Sequence, residues 1–266
     1  MQKGWSELST TESARRIRDA ELSRLVNLNV WLWDFNDGSW TRQTPETAGR
    51  ICAYGVSFAI RRAEGTGRSI ALLYVAAGGA PTEAFLSRGV MQAKAADGKW
   101  AYPHLARIAA NTNTLDRNSD FPCDWCAAEY PRRRHNRDEG RWWPVSAMYE
   151  AGIARIGRLK LAGVLWYQGE SNATAGGKPM PTAYVEETLR AVVRQLRPNG
   201  TTPFLMMGLP RMNRPWQPYR EAQRRICAET GAIYLDSYGA GLGDPADVHP
   251  ADKRPFAELA ASAAAR

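Results

Sequence analysis

One short stretch, Gly163 to Ala173, constrains the fold more than any other. Gly163-Val164-Leu165-Trp166-Tyr167 is an apolar run long enough for one buried strand and too short for a helix. Gln168-Gly169-Glu170-Ser171-Asn172 is abruptly polar, and Gly169 marks the break. A buried strand that ends this way delivers hydrogen-bonding side chains to one rim of a sheet. In open α/β sheets the carboxyl rim is where ligands bind. The same residues also suit a plain helix start, with Ser171 or Asn172 as N-cap.

The rest of the chain repeats the alternation. Strands are predicted over 28–35, 69–77, 204–209 and 232–236, each a short apolar run closed by turn residues. Helical spacing appears near 11–17, over 46–63 with an end near Gly65, and over 144–158, 182–196, 216–229 and 253–265. Near-continuous apolar runs such as Ile70-Ala71-Leu72-Leu73-Tyr74-Val75 suit parallel strands covered on both faces. The pattern predicts an α/β fold, a parallel sheet between helices, in one domain spanning 1–266. Residues 88–141, with Pro103, Pro122 and Pro131, read as an irregular insertion after a strand end, placed to shape substrate entry.

Composition narrows the function classes. Hydrophobic residues make up 44% of the 266, which supports a sizeable core. The net charge of +8 comes mostly from dispersed Arg, and no nucleic-acid motif accompanies it. The one basic cluster, Arg132-Arg133-Arg134-His135, reads as a solvated loop. Ten Trp and ten Tyr suit sugar faces as well as ordinary packing. Cys123 and Cys126 form a lone C-x-x-C, better read as a local disulfide or two thiols than as a zinc site with His135, because no second pair follows. No metal and no cofactor is therefore expected. Gly176-Gly177-Lys178-Pro179 lacks the spacing of a phosphate-binding loop. No stretch is long enough to span a bilayer.

Chemistry concentrates at three strand ends. Of three His, His104 and His135 fall in the insertion, whereas His249 sits in Asp247-Val248-His249-Pro250 between the last strand and the last helix. Asp247 is near enough in sequence to orient the imidazole, as the acid of a triad does. Gly78-Gly79 ends the 69–77 strand, where a glycine lets a backbone N–H approach a substrate oxygen. Gln168 offers a side-chain amide. Two such donors make an oxyanion hole, and with a general base they supply all of a serine esterase except its nucleophile.

With those residues in view, the chain resembles the sialate O-acetylesterase (SASA) family of SGNH/GDSL-type carbohydrate esterases. The matching stretches are Val75 to Phe85, Pro144-Val145-Ser146-Ala147-Met148-Tyr149, Gly163 to Asn172 with its specific Trp-Tyr-Gln-Gly-Glu-Ser-Asn string, and Asp247 to Pro250 with Lys253 following. They run through the chain in family order. The resemblance implies a three-layer sandwich with a flavodoxin-like parallel sheet, a Ser-His-Asp type mechanism, acetylated carbohydrate as substrate, and no cofactor. It implies His249 as general base, Asp247 as its partner, Gly79 as oxyanion N–H with Gly78 beside it, and Glu170 as a brace for the loop. For the side-chain donor it leaves Gln168 and Asn172 as rivals. SGNH enzymes often place the acid three residues before the His, and that position here is Ala246.

The family's nucleophile lies in a Gly-Gln-Ser-Asn-Met string after its first strand. Met1 aligns with the Met that closes the string, so the expectation is that the Ser and the first strand lie upstream of Met1. Ser6, Ser9 and Ser13 follow no strand. In flavodoxin-like order the absent strand lies between the second and third, leaving edges on both neighbours. The resemblance also implies a periplasmic or extracellular site, with any signal peptide upstream as well. The alternative is a noncatalytic sugar-binding remnant that keeps the cleft without the chemistry.

Overall fold

The computed structural model describes residues 3–35, 38–50, 52–110, 135–136, 141–142, 145–156, 159–175 and 177–265. Cys123, Cys126 and the Arg132-Arg133-Arg134 cluster lie outside them, as does Pro144. In chain order the strands are β1 (Val30–Asp34), β2 (Ser39–Arg42), β3 (Ile70–Tyr74), β4 (His135–Asn136), β5 (Arg141–Trp142), β6 (Val164–Trp166), β7 (Thr174–Ala175), β8 (Lys178–Pro179), β9 (Phe204–Met207) and β10 (Ile233–Leu235). The chain divides into two compact units.

The first unit comprises Met1–Ala76, Pro210–Asn213 and Leu235–Arg266. Its sheet has the order β2-β1-β3, with β1 antiparallel to β2 and parallel to β3. The register pairs Val30 with Ile70 and Asp34 with Tyr74. The helix Ala53–Thr66 carries Ala53, Val56, Ala59, Ile60 and Ala63 along one stripe, and that stripe joins Val30, Leu25 and Trp5 in the core. Its end is set by Gly67, not Gly65. Gly67 takes φ +65° and returns its N–H to the Ala63 carbonyl at 2.8 Å, a left-handed C-terminal stop that costs a glycine little. Thr11 caps the helix Glu12–Ser23 by accepting the Ala14 N–H at 3.1 Å. The buried carboxylate of Glu21 is held between Arg24 and Arg61, and Arg61 reaches on to Glu258 of the helix Arg254–Ala264.

The second unit comprises Ala77–Leu209 and Arg214–Tyr234. Its main sheet has the order β10-β9-β6, with β6 parallel to β9. All four residues of the central β9 are buried, whereas Val164 and Leu165 of the edge strand β6 are half-buried. The helix Thr182–Leu196 occupies the predicted span and buries Tyr184, Val185, Leu189, Ala191, Val192 and Val193. The helix Gln217–Thr230 ends at Gly231, φ +70°.

Three expectations change. The insertion is not wholly irregular: helices occupy Arg88–Met91 and Pro103–Ala110. Pro103 opens the second of these instead of breaking it, because a first-turn residue has no intrahelical use for an N–H. The helix expected over 144–158 is present but shorter, over 147–156, and takes a π-helical turn at Tyr149–Ile153. Ser146 sits just before it at φ +67°, which stops a regular helix from starting earlier. Finally, β1 and β3 pair directly, so no strand separates them; the edge strands are β2 and β3 in the first sheet, and β10 and β6 in the second. A five-residue parallel ladder already satisfies the backbone between β1 and β3.

Candidate active site

In the second unit the polar residues after β6 form a closed network. Gly169 takes φ +146°, and a Cβ there would meet the Tyr219 ring at 2.5 Å. Only glycine lets the chain cross that ring and start the single turn Glu170–Ala173. The turn brings Asn172 back beneath Gln168. Gln168 Nε2 donates to Asn172 Oδ1 at 3.0 Å and to the Ala80 carbonyl at 3.3 Å. Its Oε1 accepts from the Thr82 hydroxyl at 2.7 Å. Asn172 Oδ1 also accepts the Thr82 N–H at 2.9 Å, and its Nδ2 donates to Glu83 Oε2 and to the Tyr184 oxygen, both at 3.0 Å. Tyr184 donates in turn to Glu83. Asn172, Thr82 and Tyr184 have no exposure at all, Glu83 has 1%, and Gln168 has 8%.

Gly78 and Gly79 lie exposed at the turn that opens this unit, where the Ala80 N–H closes on the Ala77 carbonyl at 3.2 Å. Gly79 takes φ +71° at the third position, the conformation that favours glycine there. Ser171 Oγ donates to the Gly79 carbonyl at 3.2 Å and ties the glycine turn to the helical turn. Tyr219 stands behind both; burial, with Glu170 and Glu83 adding to it, raises its phenol far above the usual range.

In the first unit, the Asp247 carboxylate accepts the backbone N–H of His249 at 2.7 Å. It is thus engaged with the main chain as an Asx turn, not with the imidazole. His249 is half-buried and its Nδ1 is buried with no hydrogen-bond partner among the described residues. Burial lowers the imidazole pKa most, the charges of Lys3 and Lys253 lower it further, and Asp247 opposes them. The ring is neutral at neutral pH, the form a general base requires. Lys253 is 1% exposed, with its ammonium 5.3 Å from the Phe256 ring.

His104 is occupied elsewhere. Its Nδ1 lies 2.7 Å from Glu187 Oε1, and its N–H donates to Glu187 Oε2 at 2.9 Å, which caps the helix Pro103–Ala110. No group of His, Cys, Asp or Glu among the described residues is arranged to hold a metal. No helix among them is long and apolar enough to cross a membrane.

Sequence reasoning passed over Thr82, Glu83 and Tyr184. The signal available was a Thr-Glu pair directly after a glycine turn, but nothing local shows that Tyr184, 101 residues from Glu83, completes the clasp.

The fold is shared with a carbohydrate acetylesterase. The solved structure of that enzyme, from Xanthomonas citri, superposes with a TM-score of 0.64 at 20% identity, over 94% of this chain. The chain spans 50% of that protein's length. No protein-family model matches the sequence, and no curated protein is significantly similar to it. The likeness is one of fold: helices around small parallel and mixed sheets, as in an esterase of the α/β class.

Proposed function

We propose that this chain belongs to a carbohydrate O-acetylesterase of the sialate O-acetylesterase type, with an SGNH-like sandwich and a serine mechanism. The observation that carries the reading is the fold likeness to a carbohydrate acetylesterase over 94% of the chain. The neutral His249 and the ordered Gln168 amide support it, as does the Trp-Tyr-Gln-Gly-Glu-Ser-Asn string.

In this reading a nucleophilic serine attacks the acetyl carbonyl carbon while His249 takes its proton. The tetrahedral oxyanion collapses, the sugar oxygen leaves with that proton, and water then attacks the acyl-serine with His249 again as base. Acetate departs and the serine regains its proton. Gly79 N–H and Gln168 Nε2 stabilise the oxyanion. Of the two amides Gln168 is the better donor: its bond to the Ala80 carbonyl is long at 3.3 Å and exchangeable, whereas both protons of the fully buried Asn172 are committed. Asn172 is therefore the residue that positions Gln168. Glu170 and Gly78 shape the loop and turn. Asp247 acts on the main chain of the His249 loop. The family resemblance favours a periplasmic or extracellular setting.

The test compares 1–266 with the same chain extended by its native upstream codons, using aryl acetate and acetylated sugar. Acetate release by the extended chain, abolished when the upstream Ser is replaced by Ala, supports the reading. No release from either substrate overturns it and favours a noncatalytic sugar-binding protein. Equal release by 1–266 places the nucleophile inside this chain.

A further inference from the structure

The two strands β1 and β2 carry aromatic side chains that the esterase reading leaves unused. Alternation along β1 sends Val30 and Leu32 into the core and Trp31 and Trp33 to the opposite face. The register sets Trp33 opposite Trp40 and Trp31 opposite Arg42, so three indoles and one guanidinium share that face. Trp33 is buried, but Trp31 is 37% exposed and Trp40 47% exposed. Trp31 is also oriented: its indole N–H donates to Asn29 Oδ1 at 2.9 Å, and the Asn29 amide donates to Ser69 Oγ at 2.6 Å. An exposed ring held at its edge is a prepared flat surface, with none of the rotamer freedom that an untethered surface Trp loses on binding.

From this geometry we propose that the Trp31–Trp40–Arg42 face binds an acidic oligosaccharide chain. The negative face of an indole attracts the weakly positive C–H groups on the flat side of a pyranose. Two exposed indoles in diagonal register fit successive rings of one chain. Arg42 supplies a forked cation for a sugar carboxylate. The strands place no carboxylate against it, since Asp34 alternates to the other side of β1, and the chain carries a net charge of +8. A protein partner fits poorly. Large aromatic side chains bury roughly 150–250 Å² each, so two of them fall well short of the about 800 Å² per partner of a stable interface. The proposal rests on the carbohydrate reading and deepens it by giving the polymer a holding surface made of residues the esterase reading does not use. It is tested by binding alone, so the failure of catalysis leaves it standing.

The experiment measures binding of oligogalacturonate and oligosialate, with cellohexaose as the neutral comparison, to the full chain by calorimetry. The expected result is saturable binding of an acidic chain that weakens on raising the salt. Trp31→Ala and Trp40→Ala should each weaken it roughly tenfold, with Trp40→Tyr retaining most of the affinity. Arg42→Gln should remove the preference for acidic over neutral chains. The Trp40 and Arg42 variants should melt as the parent does, because both residues lie on an exposed edge strand. Absence of saturable binding to both acidic chains overturns the proposal. So does unchanged affinity in W31A/W40A, or concentration-dependent dimerisation that this double variant abolishes.

Discussion

The clasp around Asn172 and the loop around His249 are built on opposite principles. In the clasp five side chains, Thr82, Glu83, Gln168, Asn172 and Tyr184, are buried and satisfy one another. In the loop a single backbone hydrogen bond from His249 to an exposed Asp247 holds a half-buried ring with an unpartnered nitrogen. Donors that must await a developing charge gain from rigidity, because they then need no reorganisation during the reaction. A base that accepts and returns a proton needs the right charge state first, and burial with two nearby ammonium groups sets it. The contrast predicts that substitution of Asn172, at the centre of the clasp, registers as stability, and substitution of His249 as turnover.

The largest effect belongs to the loop. If His249 is the general base, His249→Ala in the active protein should lower kcat by roughly 10⁴-fold or more, since triad members act as a unit. Its unfolding free energy should stay within about 0.5 kcal/mol of the parent in urea titration. A large loss of stability would erase the contrast.

Next in size is the clasp. Asn172→Ala should cost roughly 3–4 kcal/mol in the same titration, because Glu83, Tyr184, Thr82 and Gln168 each lose a buried partner. Gln168→Ala should lower kcat by roughly 10²–10³ if its amide meets the oxyanion. An Asn172 change that leaves stability intact but removes turnover would exchange the two roles.

The pH dependence sharpens the loop side. The His249 pKa in the folded chain is depressed below the ordinary imidazole value of about 6.5. Above about 6.5 the ring is neutral in both folded and unfolded chains, and its full contribution to stability is present. As pH falls below that value the unfolded chain takes up the proton first, and the contribution is lost down through the folded pKa. The acid limb of kcat/KM should therefore lie below 6.5. Lys3→Met should move it upward, since one of the two lysine charges is then gone. A limb at or above 6.5 in the parent contradicts the assignment of burial and charge.

The smallest effect separates two roles for Asp247. An amide oxygen still accepts the His249 N–H, so Asp247→Asn should change kcat/KM only a few-fold. If Asp247 instead orients the imidazole, the same change should cost about 10⁴-fold, as replacing the acid of a triad by its amide does.

Part of this arrangement was legible in the residues. The apolar runs that became β3, β6 and β9 were visible, as was the amphipathic stretch Thr182–Leu196. Gly79 and Gly169 were marked as turn positions, and both take positive φ. The insertion was misread where Pro103 opens a helix: Leu105 and Ile108, three apart, face inward, but eight residues are too few for periodicity to stand out. The proximity of Asp247 to His249 was also visible, but not that its carboxylate turns to the backbone. Two residues of separation suit an Asx turn as readily as a ring contact, and sequence spacing does not choose between them.

By itself the sequence determined where β1, β3, β6, β9 and the helix Thr182–Leu196 fall, because hydrophobic periodicity and turn chemistry act over a few neighbours. It also determined that polar side chains leave β6 at its carboxyl end. Only the tertiary structure decided which partners hold each of the two amides. That choice depends on Thr82, Glu83 and Tyr184 meeting the Gln168–Asn172 turn across gaps of 12 to 90 residues. Hydrogen-bond saturation and loss of solvent are properties of the assembled interior, and no local pattern encodes which of two neighbouring amides they will claim.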